Sequence, residues 1–149
     1  MPRVMVVEDQ EVILANLAQI LELTGLDVMQ AANGLDAFNQ LTAVRELPAQ
    51  QPRLIISDLM MPFMDGFELL SLVRGDAVYE KLPFVLLTAR SDASDLRKAL
   101  ALGASDYLIK PFEVDELLVM VKNQLGSDPA APADCFSSAL LSDSDFHLE

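Results

Sequence analysis

Five side chains capable of ionic or hydrogen-bonding chemistry follow short apolar runs in this chain. Glu8 and Asp9 come after Val4–Val7, Asp58 after Leu54–Ser57, Thr88 after Pro83–Leu87 and Lys110 after Tyr107–Ile109. Carboxylates drawn together repel, and their pKa values spread unless a cation intervenes. Mg2+ suits such a set, because it favours oxygen ligands and keeps several waters. Two or three carboxylates plus waters leave a place for a phosphoryl oxygen. Asp58 is then placed as a nucleophile forming an aspartyl phosphate. Lys110 offsets charge on the incoming group, and Thr88 donates a hydrogen bond to it. No base is needed, since a carboxylate is already ionised at pH 7.

Each of these residues also has a plainer use. Asp58 alone caps a turn or helix. Glu8 and Asp9 suit the N-terminus of a following helix, where acidic groups are favoured. Thr88 can cap a turn, and Lys110 can be a solvated surface lysine. Tyr107 can be core packing, although its polar tip near a sheet edge allows inward and outward positions. Pro111 can mark a strand's end. Met60, Met61 and Met64 read as loop or packing residues, because no His or Cys lies near them to complete a soft-metal set. Asp65-Gly66 reads as a turn that starts a helix, with Gly66 permitting a tight backbone.

The elements that must position these groups are legible in the periodicity. Val4–Val7 precedes a helical pattern over Gln10–Thr24, which Gly25 ends. Leu26–Ala31 is a second strand, and Asn33 an N-cap for a helix from Leu35 to Leu47. Pro48 and Pro52 frame a connector. Leu54–Ser57 leads to a helix over Phe67–Arg74. Pro83–Leu87 leads to a helix capped by Ser91 or Asp92 and ending at Gly103. Tyr107–Ile109 leads to a helix over Glu113–Leu125, closed by Gly126. Alternating strands and helices imply right-handed crossovers and a parallel sheet covered on both faces. The continuously apolar "VMVV", "LIIS", "FVLL" and "YLI" fit that burial. Ligands bind such sheets beyond the carboxyl ends of the strands, at a topological switch point. The polar residues gather at those ends.

Composition narrows the function. The 149 residues are 52% hydrophobic, which suits one domain with a full core. Residues 1–126 are read as that domain. Residues 127–149, rich in Ser, Ala, Pro and Asp, are read as a tail or linker, or as a short helix over Asp134–Leu141. Five of the 23 acidic residues lie in that tail, leaving 18 against 10 basic residues before it, a net of −8. A total charge of −13 argues against direct nucleic-acid binding and against anionic membranes. The one cysteine, Cys135, forms no intrachain disulfide, which suits a cytoplasmic protein. His147, the one histidine, lies in the tail and is not expected to be a phosphodonor. Neither a signal peptide nor a membrane-spanning run is expected.

Taken together, "VVEDQ", "LIISDLMMPFMDG", "VLLTAR" and "YLIKPF" resemble the receiver domain of two-component response regulators, over about Arg3 to Gly126. The resemblance implies a flavodoxin-like, doubly wound five-stranded parallel sheet in the order 2-1-3-4-5, with five flanking helices. It implies that Asp58 accepts phosphate from a histidine kinase or phosphotransfer protein. It makes Asp9 a direct Mg2+ ligand and Met60 a ligand through its backbone carbonyl, with Glu8 acting through water. It makes Thr88 and Tyr107 a switch pair and Lys110 the phosphate-binding lysine, joined to Pro111 by a cis bond. Met60 and Arg90 stand where residue identity tunes the lifetime of the phosphate. The face of the fourth helix, fifth strand and last helix then changes its preference for a downstream protein, an effector domain or a second copy. Two rivals remain. One is a phosphate-independent scaffold of the same fold. The other is an aspartyl-phosphate phosphatase, which wants a second Asp where this chain has Met60. A flavin binder is disfavoured, because "EDQEV" would repel phosphate.

Overall fold

The computed structural model describes residues 2–89 and 93–126. Its elements are β1 (Arg3–Val7), α1 (Glu11–Leu23), β2 (Asp27–Ala31), α2 (Gly34–Ala43), β3 (Leu54–Asp58), α3 (Gly66–Arg74), β4 (Phe84–Thr88), α4 (Ala93–Ala101), β5 (Asp106–Ile109) and α5 (Val114–Leu125). A short 3-10 turn, Pro48–Gln50, precedes β3. The strands pair in parallel in the order β2-β1-β3-β4-β5, as the resemblance implied. Strand order reverses at the β1–β3 seam, and the carboxyl ends there are where such sheets bind ligands.

Burial explains the continuous apolar runs. Every residue of β3 and β4 is buried, whereas β2 and β5 form the half-exposed edges. Alternation along each strand splits the core in two. Val4, Val6, Leu54, Ile56, Val85 and Leu87 face Leu17 and Leu21 of α1 and Leu117 and Val121 of α5. Met5, Val7, Ile55, Phe84 and Leu86 face Leu41 of α2, Leu69 and Val73 of α3 and Ala99 of α4.

The ends of the helices follow local chemistry. Gly25, at φ 93°, donates to the Glu22 carbonyl at 3.0 Å, while the Leu26 N–H reaches the Leu21 carbonyl at 3.4 Å. This is the glycine-dependent closure expected of it. Gly103, at φ 98°, closes α4 in the same way. The Asn33 side chain caps α2 by accepting from the Asp36 N–H at 2.8 Å. That helix stops at Ala43, short of the expected Leu47. Pro48 disfavours a helical conformation at the residue before it, and Leu47 adopts φ −125° and ψ 74°. The expected caps of α4, Ser91 and Asp92, lie outside the described residues, as do Arg90 and the 127–149 tail with Cys135 and His147.

Candidate functional site

Four segments bring polar side chains to the carboxyl edge of β1, β3, β4 and β5. Glu8 directly follows β1, and its N–H extends the ladder to the Ala31 carbonyl at 3.0 Å. Its side chain is fully buried. Glu8 Oε2 accepts from the Gln10 N–H at 3.1 Å, and Oε1 accepts from Lys110 Nζ at 3.1 Å. Asp9, next in the chain, is exposed. Asp58 ends β3 and is 8% exposed. Its Oδ1 accepts from the Leu59 N–H and from Lys110 Nζ, each at 3.0 Å. Lys110 therefore bridges two carboxylates from different strands. Its own N–H bonds the Thr88 carbonyl at 2.7 Å, and a cis bond joins it to Pro111.

Carboxylate oxygens of Glu8, Asp9 and Asp58 lie within 4.8 Å of one another. The set is all oxygen, with one member open to solvent. It fits a hard divalent cation such as Mg2+. Electrostatics within the set agree. Burial pushes the Glu8 carboxyl above its ordinary pKa, and the neighbouring Asp58 charge adds to this, against the lowering effects of the Gln10 N–H and Lys110. Burial pulls the Lys110 ammonium down, but hydrogen bonds and charges from Asp58 and Glu8 outweigh it and hold the pKa above the usual value. Lys110 is thus charged at neutral pH.

The loop from β3 to α3 is fixed close to Asp58. Asp65 and Glu68 form a reciprocal cap, with the Glu68 N–H donating to Asp65 Oδ1 at 2.9 Å and the Asp65 N–H donating to Glu68 Oε1 at 3.1 Å. The Gly66 N–H bonds the Leu59 carbonyl at 2.8 Å. A Cβ on Gly66 would meet the Asp58 carbonyl oxygen at 2.7 Å, so the tight backbone expected there presses on Asp58 itself. Phe63 was not anticipated as a special position. Its φ is 69°, and the Met64 N–H bonds the Pro62 carbonyl at 2.7 Å across it, as in a γ-turn. A phenylalanine gives no sequence signal for that conformation.

The other singled-out residues are placed as follows. Thr88 is buried at the end of β4 and pairs with Ile109. Tyr107 is half-buried on β5, pairs with Leu86, and packs against the cluster that includes Phe84 and Leu86. The Met60 side chain is 58% exposed and points away from the core. The backbone donors at Gln10 and Leu59, which hold Glu8 and Asp58, escaped the sequence reading because main-chain N–H groups carry no residue identity.

Comparison with known proteins bears on the family and the fold. Residues 4–122 match the family model described as response regulator receiver domain. The DNA-binding response regulator MtrA of Mycobacterium tuberculosis (strain H37Rv) is 36% identical over 137 residues, covering 92% of this chain and 56% of the relative. The DNA-binding dual master transcriptional regulator RpaA of Synechocystis is 36% identical over 141 residues, covering 95% of this chain and 56% of the relative. The chain thus spans about half the length of the curated relatives it matches. Among solved structures, the chemotaxis response regulator CheY4 of Vibrio cholerae superposes with a TM-score of 0.76 at 31% identity, covering 84% of this chain and 99% of that one. The HemR receiver domain of Leptospira biflexa gives 0.74 at 27% identity, covering 89% and 98%. With the family model matched over most of its length and the doubly wound sheet in place, the chain belongs to the receiver domain family of two-component response regulators.

Proposed function

We propose that this domain accepts a phosphoryl group on Asp58 from a histidine kinase or phosphotransfer protein and uses the added charge to change partner binding. The observation that carries the reading is the convergence of Asp58, Glu8, Asp9 and Lys110, with Lys110 Nζ 3.0 Å from Asp58 and 3.1 Å from Glu8. In the transfer, an Asp58 carboxylate oxygen attacks phosphorus. The bond from phosphorus to the donor imidazole nitrogen breaks, and the imidazole leaves and takes up a proton. Asp9, Asp58 and the Met60 backbone carbonyl would hold Mg2+, with Glu8 acting through water. When bound, that ion offsets charge on the carboxylates and on the phosphoryl oxygens. Lys110, bonded to Asp58 and Glu8, balances further charge. Thr88 donates a hydrogen bond from its hydroxyl to a phosphoryl oxygen. Positioning and electrostatics thus supply the rate, as in phosphoryl transfer generally.

Inward movement of Thr88 opens space that Tyr107 follows. The face of α4, β5 and α5 then changes its preference for a downstream protein, an effector domain or a second copy. That is a local charge event biasing a two-state element. The domain acts as a phosphoacceptor and turns over no external substrate, apart from slow loss of its own phosphate. Residues 1–126 form the receiver unit, and 127–149 a tail or linker. Relatives are named as DNA-binding, but the net charge of −8 before the tail directs nucleic-acid contact away from this domain. Among the described residues no helix is long and apolar enough to cross a membrane, and a cytoplasmic location fits that.

Adding beryllofluoride with Mg2+ tests the reading. Large amide shifts at Asp58, Thr88 and Lys110 in nuclear magnetic resonance spectra are expected, and none in Asp58→Asn. Unchanged spectra of the native protein would favour the phosphate-independent scaffold.

A further inference from the structure

We propose that Lys98 and Phe67 form a latch that holds α4 against α3 in the unphosphorylated domain. The proposal rests on Asp58 being the phosphoacceptor and names the contact that its charge must release. Of the nine residues in α4, only Ala99 is buried, and Leu100 is 57% exposed. By contrast, α3 buries Gly66, Leu69, Leu70 and Val73. A helix with so little apolar anchorage depends on its remaining contacts. Two of these are cationic. Lys98 Nζ lies over the Phe67 ring, 4.5 Å from its centroid. At the C-terminal end, Arg74 Nε donates to the Gly103 carbonyl at 2.9 Å, and its guanidinium also donates to the Leu82 carbonyl at 2.6 Å. Gly103 packs so closely that an added Cβ would lie 3.0 Å from Arg74 Nε.

These two contacts differ in kind. Arg74, the last residue of α3, holds the Gly103 carbonyl that follows α4, which fixes a pivot. In the proposed switch α4 moves about its Arg74 end, and Lys98 lies between that end and the helix's start at Ala93. Phe67 directly follows Gly66, whose backbone presses on the Asp58 carbonyl. The ring is thus fixed to the phosphoacceptor side while the ammonium rides on the moving helix. An exposed cation–π contact shifts a two-state equilibrium by about 2- to 5-fold. Removing it raises the fraction of domain competent to bind the activating ligand, and apparent affinity rises by the same factor.

The test is titration of the full chain with beryllofluoride at saturating Mg2+, followed by nuclear magnetic resonance. Lys98→Gln stays polar and loses the charge, and it is expected to tighten apparent affinity about 2- to 5-fold. Phe67→Leu should tighten it similarly, Lys98→Arg should match the native protein, and the double substitution should add nothing further. Unchanged or weaker binding by Lys98→Gln overturns the latch. So does equal tightening by Lys98→Gln in the Phe67→Leu background, which would assign the effect to long-range charge. If the native protein does not respond to beryllofluoride, the Asp58 reading fails by itself. Amide hydrogen exchange without ligand then decides the contact: Lys98→Gln must speed exchange along α4, and equal rates refute it.

Discussion

Replacing Gly66 with alanine tests how tightly the phosphoacceptor's backbone is packed. The new Cβ would lie 2.7 Å from the Asp58 carbonyl oxygen, 2.7 Å from Leu86 Cδ2 and 3.0 Å from Leu59 Cα. Ordinary contact begins near 3.4 Å, so relief needs about 0.7 Å of movement, the difference between 3.4 and 2.7 Å. Two of the three obstacles are main chain, and Leu86 is itself only 2% exposed, so no flexible side chain can swing away. The Gly66 N–H is also held to the Leu59 carbonyl at 2.8 Å. Overpacking costs about 1–3 kcal/mol, and rigid surroundings favour the upper half of that range. Reduced freedom of the unfolded chain returns about 0.4–1 kcal/mol. The net loss is about 1–2.5 kcal/mol. In urea, with a slope of about 1–3 kcal/mol per molar, the midpoint should fall by roughly 0.3–2.5 M, about 1 M at the middle of both ranges. Gly75→Ala is the control, because its Cβ would meet only the Ser71 and Leu72 carbonyls, at 3.3 and 3.9 Å. Its effect should lie between zero and about 1 kcal/mol of stabilisation, because alanine accepts that backbone. Equal midpoints for the two variants would refute the packing argument.

Lys110→Met leaves buried Glu8 beside Asp58 without the shared ammonium. Because Lys110 keeps a quarter of its side chain exposed, the usual cost of breaking a buried pair is discounted to about 1–3 kcal/mol at neutral pH. Burial already holds the Glu8 carboxyl above its ordinary pKa, and losing Lys110 raises it further. A carboxyl raised on folding contributes stability that is complete below its unfolded value of 4.5 and is lost as pH rises through its folded value. The variant's deficit should therefore shrink from about pH 7.5 to about pH 5, read from urea midpoints in chelator; a deficit that grows on acidification contradicts this. Asn33→Ala should cost about 1 kcal/mol through loss of the α2 cap, and Asn33→Ser should recover most of it. Equal midpoints for the Ala and Ser variants would show that the cap contributes nothing.

Strand positions were legible in the sequence because β1, β3 and β4 are covered on both faces and so read as unbroken apolar runs. The polar residues that end those runs stood out for the same reason, and the sheet brings Glu8, Asp9, Asp58 and Lys110 together. Asn33, Gly25 and Gly103 acted as expected because their backbone roles are tied to residue type. The end of α2 was misread because Val44 and Leu47 continue a helical apolar pattern, while Pro48 disfavours at Leu47 the backbone that pattern needs. The left-handed Phe63 was illegible, since a phenylalanine side chain carries no preference for that backbone. The contacts of Arg74 were equally hidden. They join α3 to the carbonyls of Leu82 and Gly103, and only the folded chain brings those groups into reach.

In the proposed transfer Asp58 takes the phosphoryl group. Incubation with acetyl phosphate and Mg2+, borohydride reduction of the acyl phosphate and peptide mass mapping locate the modified residue directly. Conversion confined to Asp58, absent in Asp58→Asn and in chelator, is the expected result. Label on another residue, or undiminished label in Asp58→Asn, would contradict the claim.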